Sequence, residues 1–128
     1  MNVREIIASK DSRKLSMVTA FSYFEAKFAL ESEIDMILVG DSLGTYVMGK
    51  KDTLSVTMEE MLWSLKAVRR GARDGFIIAD MPFGSYQQSR EKAVENAIAF
   101  LRHGANALKI EGGYETAELI KYLVDRGF

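Results

Sequence analysis

Short apolar runs alternate with longer amphipathic stretches along this chain. Residues 34–39 and 76–79 are nearly continuous in hydrophobicity, which is typical of strands buried on both faces of a parallel sheet. A run at 105–110 and an earlier one at 16–21 have the same short length and apolar character. The pattern therefore predicts four strands.

The stretches between these runs have the spacing of helices. Apolar residues recur every three or four positions in 58–68, 93–101 and 115–126, which places an apolar stripe on one face of each predicted helix. Thr57 followed three residues later by Glu60 predicts a capping box at the start of the first of these helices. The predicted order is strand and helix in strict alternation, βαβαβαβα.

Strict alternation of this kind indicates a parallel α/β sheet with right-handed crossovers, either doubly wound or closed into a barrel. A (β/α)8 barrel takes about 250 residues, and this chain has 128. We therefore expect residues 1–128 to form the first four βα units, the N-terminal half of a single (β/α)8 TIM barrel domain, with 1–14 as a lead-in segment. On this interpretation the chain is a fragment of a longer protein.

Composition narrows the function classes. The 17 basic residues are balanced by 18 acidic ones, so no field of one sign exists to attract nucleic acid or an anionic membrane. The absence of cysteine excludes disulfides and thiolate ligands and fits the cytoplasm. Residues 1–14 lack the apolar core of a signal peptide. Basic residues within 66–73 are expected to form a solvated helix end without a ligand.

Three acidic residues follow three consecutive predicted strands: Asp41, Asp80 and Glu111. The carboxyl ends of parallel strands meet at one face, so these side chains are expected to converge. Carboxylates that close repel one another, and a bound cation relieves the repulsion. Oxygen ligands favour a hard ion, and Mg2+ fits best because it keeps positions open for water or substrate. The sequence therefore predicts a magnesium site.

A carboxylate after a strand can instead cap the next helix. Asp41 lies sixteen residues before Thr57, too far to cap that helix, and Glu111 is followed by Gly112 and Gly113, where the backbone can approach a ligand. The set of three acids favours a site over three unrelated caps.

Lys109 and Ser42 are the other candidates at this edge. Lys109 lies two residues before Glu111, so both side chains should point to one face of the strand. The lysine is expected to be a structural counter-ion to the acids, a positive charge that binds a substrate carboxylate or enolate, or both. Ser42, next to Asp41, adds a hydroxyl donor, although serine is also a common turn residue.

Three sequence blocks around these residues resemble the ketopantoate hydroxymethyltransferases, also called 3-methyl-2-oxobutanoate hydroxymethyltransferases. They are residues 39–44 (Val-Gly-Asp-Ser-Leu-Gly), 79–86 (Ala-Asp-Met-Pro-Phe-Gly-Ser-Tyr) and 108–113 (Leu-Lys-Ile-Glu-Gly-Gly). The blocks stand in the family's order and approximate spacing, and the similarity runs from Lys14 onward. The resemblance places the chain in the phosphoenolpyruvate/pyruvate superfamily of barrels.

The resemblance implies a specific activity: transfer of a hydroxymethyl group from 5,10-methylenetetrahydrofolate to 3-methyl-2-oxobutanoate, giving ketopantoate for pantothenate biosynthesis. It implies that Asp41, Asp80 and Glu111 bind Mg2+ and that Asp41, Ser42, Asp80 and Lys109 contact the ketoacid. It also implies a homo-oligomer. The family's catalytic base lies in its second half, so no catalytic residue is expected in this chain, and the fragment alone is expected to be inactive.

The chain departs from the family at several positions. Phe21 and Ser22 replace a Tyr-Asp pair near the substrate, Ser55 replaces a proline, and Ser64 replaces a histidine. The loss of the tyrosine is expected to alter the fit of the substrate.

Two other interpretations remain open. Another magnesium-dependent α-ketoacid barrel enzyme, such as a carbon–carbon lyase, would share the acidic residues at the strand ends. The chain could also be an inactive half-barrel. The block at 80–86 favours the transferase over the lyase.

Overall fold

In the computed structural model, which describes all of residues 1–128, four short parallel strands lie side by side in one sheet. They are β1 (Met17–Thr19), β2 (Met36–Val39), β3 (Phe76–Asp80) and β4 (Ala107–Lys109). Every neighbouring pair is parallel, and the order in the sheet is the order in the chain. The predicted α/β class with four parallel strands is confirmed.

Helices connect and flank the strands. They are α1 (Val3–Ala8), α2 (Tyr23–Glu31), α3 (Leu43–Tyr46), α4 (Met58–Gly71), α5 (Arg90–Arg102) and α6 (Ala117–Val124), the last preceded by a 3₁₀ turn at Tyr114–Thr116. The three helices predicted from spacing correspond to α4, α5 and α6. The predicted alternation implied a helix at the position of α2 without giving its residues, while α1 and α3 were not predicted. None of the helices combines the length and hydrophobicity needed to cross a membrane.

The predicted capping box opens α4. The Thr57 hydroxyl accepts from the Glu60 amide at 3.2 Å, and the Glu60 carboxylate accepts from the Thr57 amide at 2.8 Å. The helix ends at Gly71, where it packs against α2. A β-carbon at Gly71 would lie 2.1 Å from the Tyr23 carbonyl oxygen, so this close packing of the two helices requires glycine.

The two faces of the sheet differ. Ile37, Val39, Ile77 and Ala79 are buried in the core beneath the helices. Side chains alternate along a strand, so residues between them, such as Ile78, point to the opposite, partly exposed face. That second face also carries Asp80, the last residue of β3.

The Arg69 side chain forms a set of hydrogen bonds at the end of the sheet opposite Asp80. Its guanidinium on α4 donates to the Gly104 carbonyl at 2.9 and 2.5 Å and to Asn106 Oδ1 at 2.6 Å. It also donates at 2.8–3.0 Å to the carbonyls of Ala72, Arg73 and Gly75. The expectation of a solvated charge is wrong for Arg69, because carbonyls brought together by folding surround it.

Replacing Arg69 by methionine should destabilise the fold by about 2–4 kcal/mol, because several carbonyls lose a charged donor together. Urea unfolding measures the change. Arg70→Met is the matched control, since Arg70 is exposed and makes no hydrogen bond through its side chain. Equal losses of unfolding free energy in the two variants would show that the hydrogen bonds of Arg69 do not stabilise the fold.

Asp35 ties residues before β1 to the start of β2. Its carboxylate accepts from the Arg13 guanidinium at 2.7 Å and from the Ser16 amide at 2.8 Å. These hydrogen bonds lower the pKa of Asp35 from 3.8 to about 2, and the bond from Arg13 has the largest effect.

Because this pKa is lower in the folded state, the stability that the Asp35 carboxylate contributes is present above pH 3.8 and is lost as the pH falls towards 2. We expect Asp35→Asn to be less stable at neutral pH and to lose less of its remaining stability across that interval. Urea unfolding at several pH values measures both effects. Asp11→Asn is the control, because it removes a carboxylate without hydrogen-bond or ion-pair partners. The free energy of unfolding of this variant should change with pH as it does in the wild type.

Candidate metal centre

The three acidic residues predicted at the strand ends lie together. Asp80 is the last residue of β3. Asp41 lies two residues after the end of β2, and Glu111 lies two residues after the end of β4. One carboxylate oxygen from each residue lies within 4.8 Å of those of the other two. The predicted convergence is therefore observed.

None of the three acids caps a helix. The N-cap of α3 is Ser42, that of α5 is Ser89 and that of α6 is Thr116. The alternative interpretation, in which each acid is the cap of the following helix, does not hold.

Asp80 lies at the centre of the group and is only 2% exposed. Its Oδ2 accepts from the Lys109 ammonium at 2.7 Å and from the Asp41 amide at 3.1 Å, while its Oδ1 is buried without a hydrogen-bond partner. Burial raises the pKa of Asp80, and the two donors offset this only in part. A buried carboxylate oxygen without a partner is costly, so the Asp80 carboxylate fits a bound cation.

Lys109 bridges two of the acids. Its Nζ lies 2.7 Å from Asp80 Oδ2 and 2.5 Å from Glu111 Oε1, so Lys109 and Glu111 share a face as predicted. Burial alone would lower the pKa of Lys109, but its hydrogen bonds to Asp80 and Glu111 outweigh burial and raise it. The ammonium is therefore charged at neutral pH, and it offsets only part of the negative charge of three carboxylates.

Ser42 lies beside this cluster at the start of α3, and its hydroxyl makes no hydrogen bond with the protein. A β-carbon at Gly40 would lie 3.0 Å from Ser42 Oγ and 3.9 Å from Asp80 Oδ2. Glycine at this position therefore leaves space between the Ser42 hydroxyl and the carboxylates. Contact of Ser42 with a substrate stays a prediction.

Tyr86 is a residue of the site for which no role was predicted. It is 7% exposed, and its hydroxyl donates to the Glu111 carbonyl at 2.7 Å. The two residues are 25 positions apart, so no local pattern could pair them. The one sequence feature that could have linked Tyr86 to the site is its position in the loop after β3.

Two of the departures from the family pattern contact each other. The Ser64 hydroxyl donates to the Phe21 carbonyl at 2.8 Å, which links α4 to the end of β1. Ser22 is the N-cap of α2, where its hydroxyl accepts from the Glu25 amide at 3.4 Å. Both serines thus have structural roles in this chain.

Comparison with known proteins identifies the family. The family model described as ketopantoate hydroxymethyltransferase matches residues 1–128. The chain belongs to this family. The 3-methyl-2-oxobutanoate hydroxymethyltransferase of Kosmotoga olearia is 65% identical over 127 residues, which are 99% of this chain and 48% of the relative. The corresponding enzyme of Thermotoga maritima is 57% identical and is covered to 47%. The chain thus spans about half the length of these ketopantoate hydroxymethyltransferases.

Solved structures support the fold. The 2,3-dimethylmalate lyase, a PEP mutase/isocitrate lyase superfamily member, superposes with a TM-score of 0.69 at 20% identity, over 91% of this chain and 40% of the lyase. Phosphonopyruvate hydrolase, solved in complex with oxalate and Mg2+, gives 0.53 at 13% identity over 98% of this chain and 68% of the hydrolase. These similarities confirm the predicted fold class, with this chain matching part of each protein.

Proposed function

We propose that this chain supplies the metal-binding and ketoacid-binding part of a 3-methyl-2-oxobutanoate hydroxymethyltransferase. The reaction transfers a hydroxymethyl group from 5,10-methylenetetrahydrofolate to 3-methyl-2-oxobutanoate and gives ketopantoate for pantothenate biosynthesis. The observation that carries the proposal is the match of all 128 residues to the family, with the predicted acidic cluster inside the matched region.

In this proposal the carboxylates of Asp41, Asp80 and Glu111 hold Mg2+. Support comes from the all-oxygen donor set, from the buried Asp80 Oδ1 without a partner, and from the Mg2+ bound in the structurally similar phosphonopyruvate hydrolase. When bound, the ion supplies a Lewis acid that polarises the keto group and makes the proton on the adjacent carbon easier to remove.

Lys109 and Ser42 act on the ketoacid itself. The side chain of Lys109 is 35% exposed, so it is not sealed from solvent while its ammonium contacts Asp80 and Glu111. Its charge stabilises the substrate carboxylate or the negative charge that develops when the proton leaves. The Ser42 hydroxyl donates a hydrogen bond to a substrate oxygen. The proton acceptor is assigned to the second half of the enzyme.

We further propose that residues 1–128 are the first four βα units of a (β/α)8 barrel and that the enzyme is a cytoplasmic homo-oligomer. Phe24 and Phe28 on α2 and Trp63 on α4 are each more than half exposed, which suits a subunit contact.

The test is an assay of the full-length protein with 3-methyl-2-oxobutanoate, 5,10-methylenetetrahydrofolate and Mg2+. We expect ketopantoate, and no product without the folate. A carbon–carbon lyase is the second candidate because of the structural similarity to 2,3-dimethylmalate lyase, but the family match does not favour it. Cleavage of 2,3-dimethylmalate without folate, in place of ketopantoate formation, would contradict the proposal.

A further inference from the structure

The main chain at Glu111 lies beyond the sheet. The last hydrogen bond between β3 and β4 runs from the Met81 amide to the Lys109 carbonyl at 3.0 Å. Glu111 is followed by Gly112, whose φ of +148° lies in a region that favours glycine, and then by Gly113. Sheet pairing therefore does not fix the position of this acidic residue.

Tyr86 holds the main chain at Glu111 through a hydrogen bond. The hydrogen bond from its hydroxyl to the Glu111 carbonyl, at 2.7 Å, is the only one that the Glu111 main chain makes within the protein. A tyrosine hydroxyl keeps its proton at neutral pH, so it stays a donor to this carbonyl. A buried aromatic ring has few alternative rotamers, so it can hold this carbonyl in one place.

The loop that carries Tyr86 is itself fixed. The buried Asn96 on α5 donates through Nδ2 to the Ser85 carbonyl at 2.7 Å, and the Ser85 amide donates to the Pro82 carbonyl at 3.0 Å. A continuous set of contacts therefore runs from α5 through the loop after β3 to Glu111.

We propose that Tyr86 is a positioning residue for the metal ligand Glu111, acting through the Glu111 carbonyl and supported by Asn96. By fixing the main chain, it holds the Glu111 carboxylate against the oxygens of Asp41 and Asp80. The inference rests on the proposed magnesium site. It predicts that the tyrosine hydroxyl, which donates to the Glu111 carbonyl, contributes to metal affinity through Glu111.

The experiment measures binding of Mn2+ to the metal-free, full-length protein, with free Mn2+ followed by electron paramagnetic resonance. Tyr86→Phe removes only the hydroxyl and should raise the dissociation constant about 10-fold. Tyr23→Phe is the matched control, because Tyr23 is exposed and its hydroxyl makes no hydrogen bond. Its affinity should equal that of the wild type.

A double-mutant cycle with Glu111→Gln separates positioning from a general structural effect. If Tyr86 acts through the Glu111 carboxylate, then Tyr86→Phe should cause little further loss of Mn2+ affinity in the Glu111→Gln background. An unchanged affinity of Tyr86→Phe, the same loss in both backgrounds, or loss of the native circular dichroism in Tyr86→Phe would each overturn the proposal. Equal Mn2+ binding by the wild type and Asp80→Asn would instead refute the metal site and with it the proposed function.

Discussion

Asp80→Asn is expected to weaken Mg2+ binding of the full-length enzyme by roughly 100-fold or more and to lower turnover in parallel. Asp80 is the buried central acid of the cluster, and its Oδ1 has no other partner. The amide keeps the shape of the side chain but lacks the charge that attracts the ion. Isothermal titration calorimetry with Mg2+ measures the affinity, and a steady-state assay measures the rate.

Asp74→Asn is the control for this substitution. Asp74 precedes β3 at the end opposite Asp80, and its carboxylate makes no hydrogen bond. Mg2+ affinity should be unchanged in this control. Asp80→Asn with wild-type Mg2+ affinity and native circular dichroism would exclude Asp80 as a ligand.

Lys109→Met should lower kcat/KM for 3-methyl-2-oxobutanoate by about 100-fold without weakening Mg2+ binding. The lysine charge is proposed to stabilise negative charge on the substrate. Its ammonium also contacts Asp80 and Glu111, so removing it leaves the acidic cluster no less attractive to a cation. Steady-state kinetics and Mg2+ titration on the same preparation measure both effects.

The kinetic constants show where Lys109 acts. A higher KM with unchanged kcat indicates that the charge binds the ketoacid equally in the ground and transition states, whereas a lower kcat indicates stabilisation of the charge that develops. Lys121→Met is the control, because that exposed lysine pairs only with Asp125. Unaltered kinetics in Lys109→Met would reduce the lysine to a structural counter-ion.

The fold was predictable where local pattern decides it. Helix α4 was found because its apolar spacing and its capping box agree, and the central strand β3 because its apolar run is nearly continuous. The outer strands are shorter than predicted: the runs at 16–21 and 105–110 contain strands of three residues each. Helix α3 was missed because its four residues are too few to show a period.

The acidic cluster was predictable for a similar reason. In a parallel sheet the end of a strand fixes where its next side chains lie, so the sequence positions of Asp41, Asp80 and Glu111 were enough. The roles of Tyr86 and Arg69 were not predictable. Tyr86 lies 25 residues from Glu111 and Arg69 lies 35 residues from Gly104, and only the folded structure brings these pairs together.

Anomalous diffraction from crystals of the full-length enzyme, soaked with Mn2+ in place of Mg2+, can locate the metal ion directly. We expect one ion bound by carboxylate oxygens of Asp41, Asp80 and Glu111. An ion bound elsewhere, with Lys109 still bridging Asp80 and Glu111 and no anomalous peak between the three carboxylates, would contradict it.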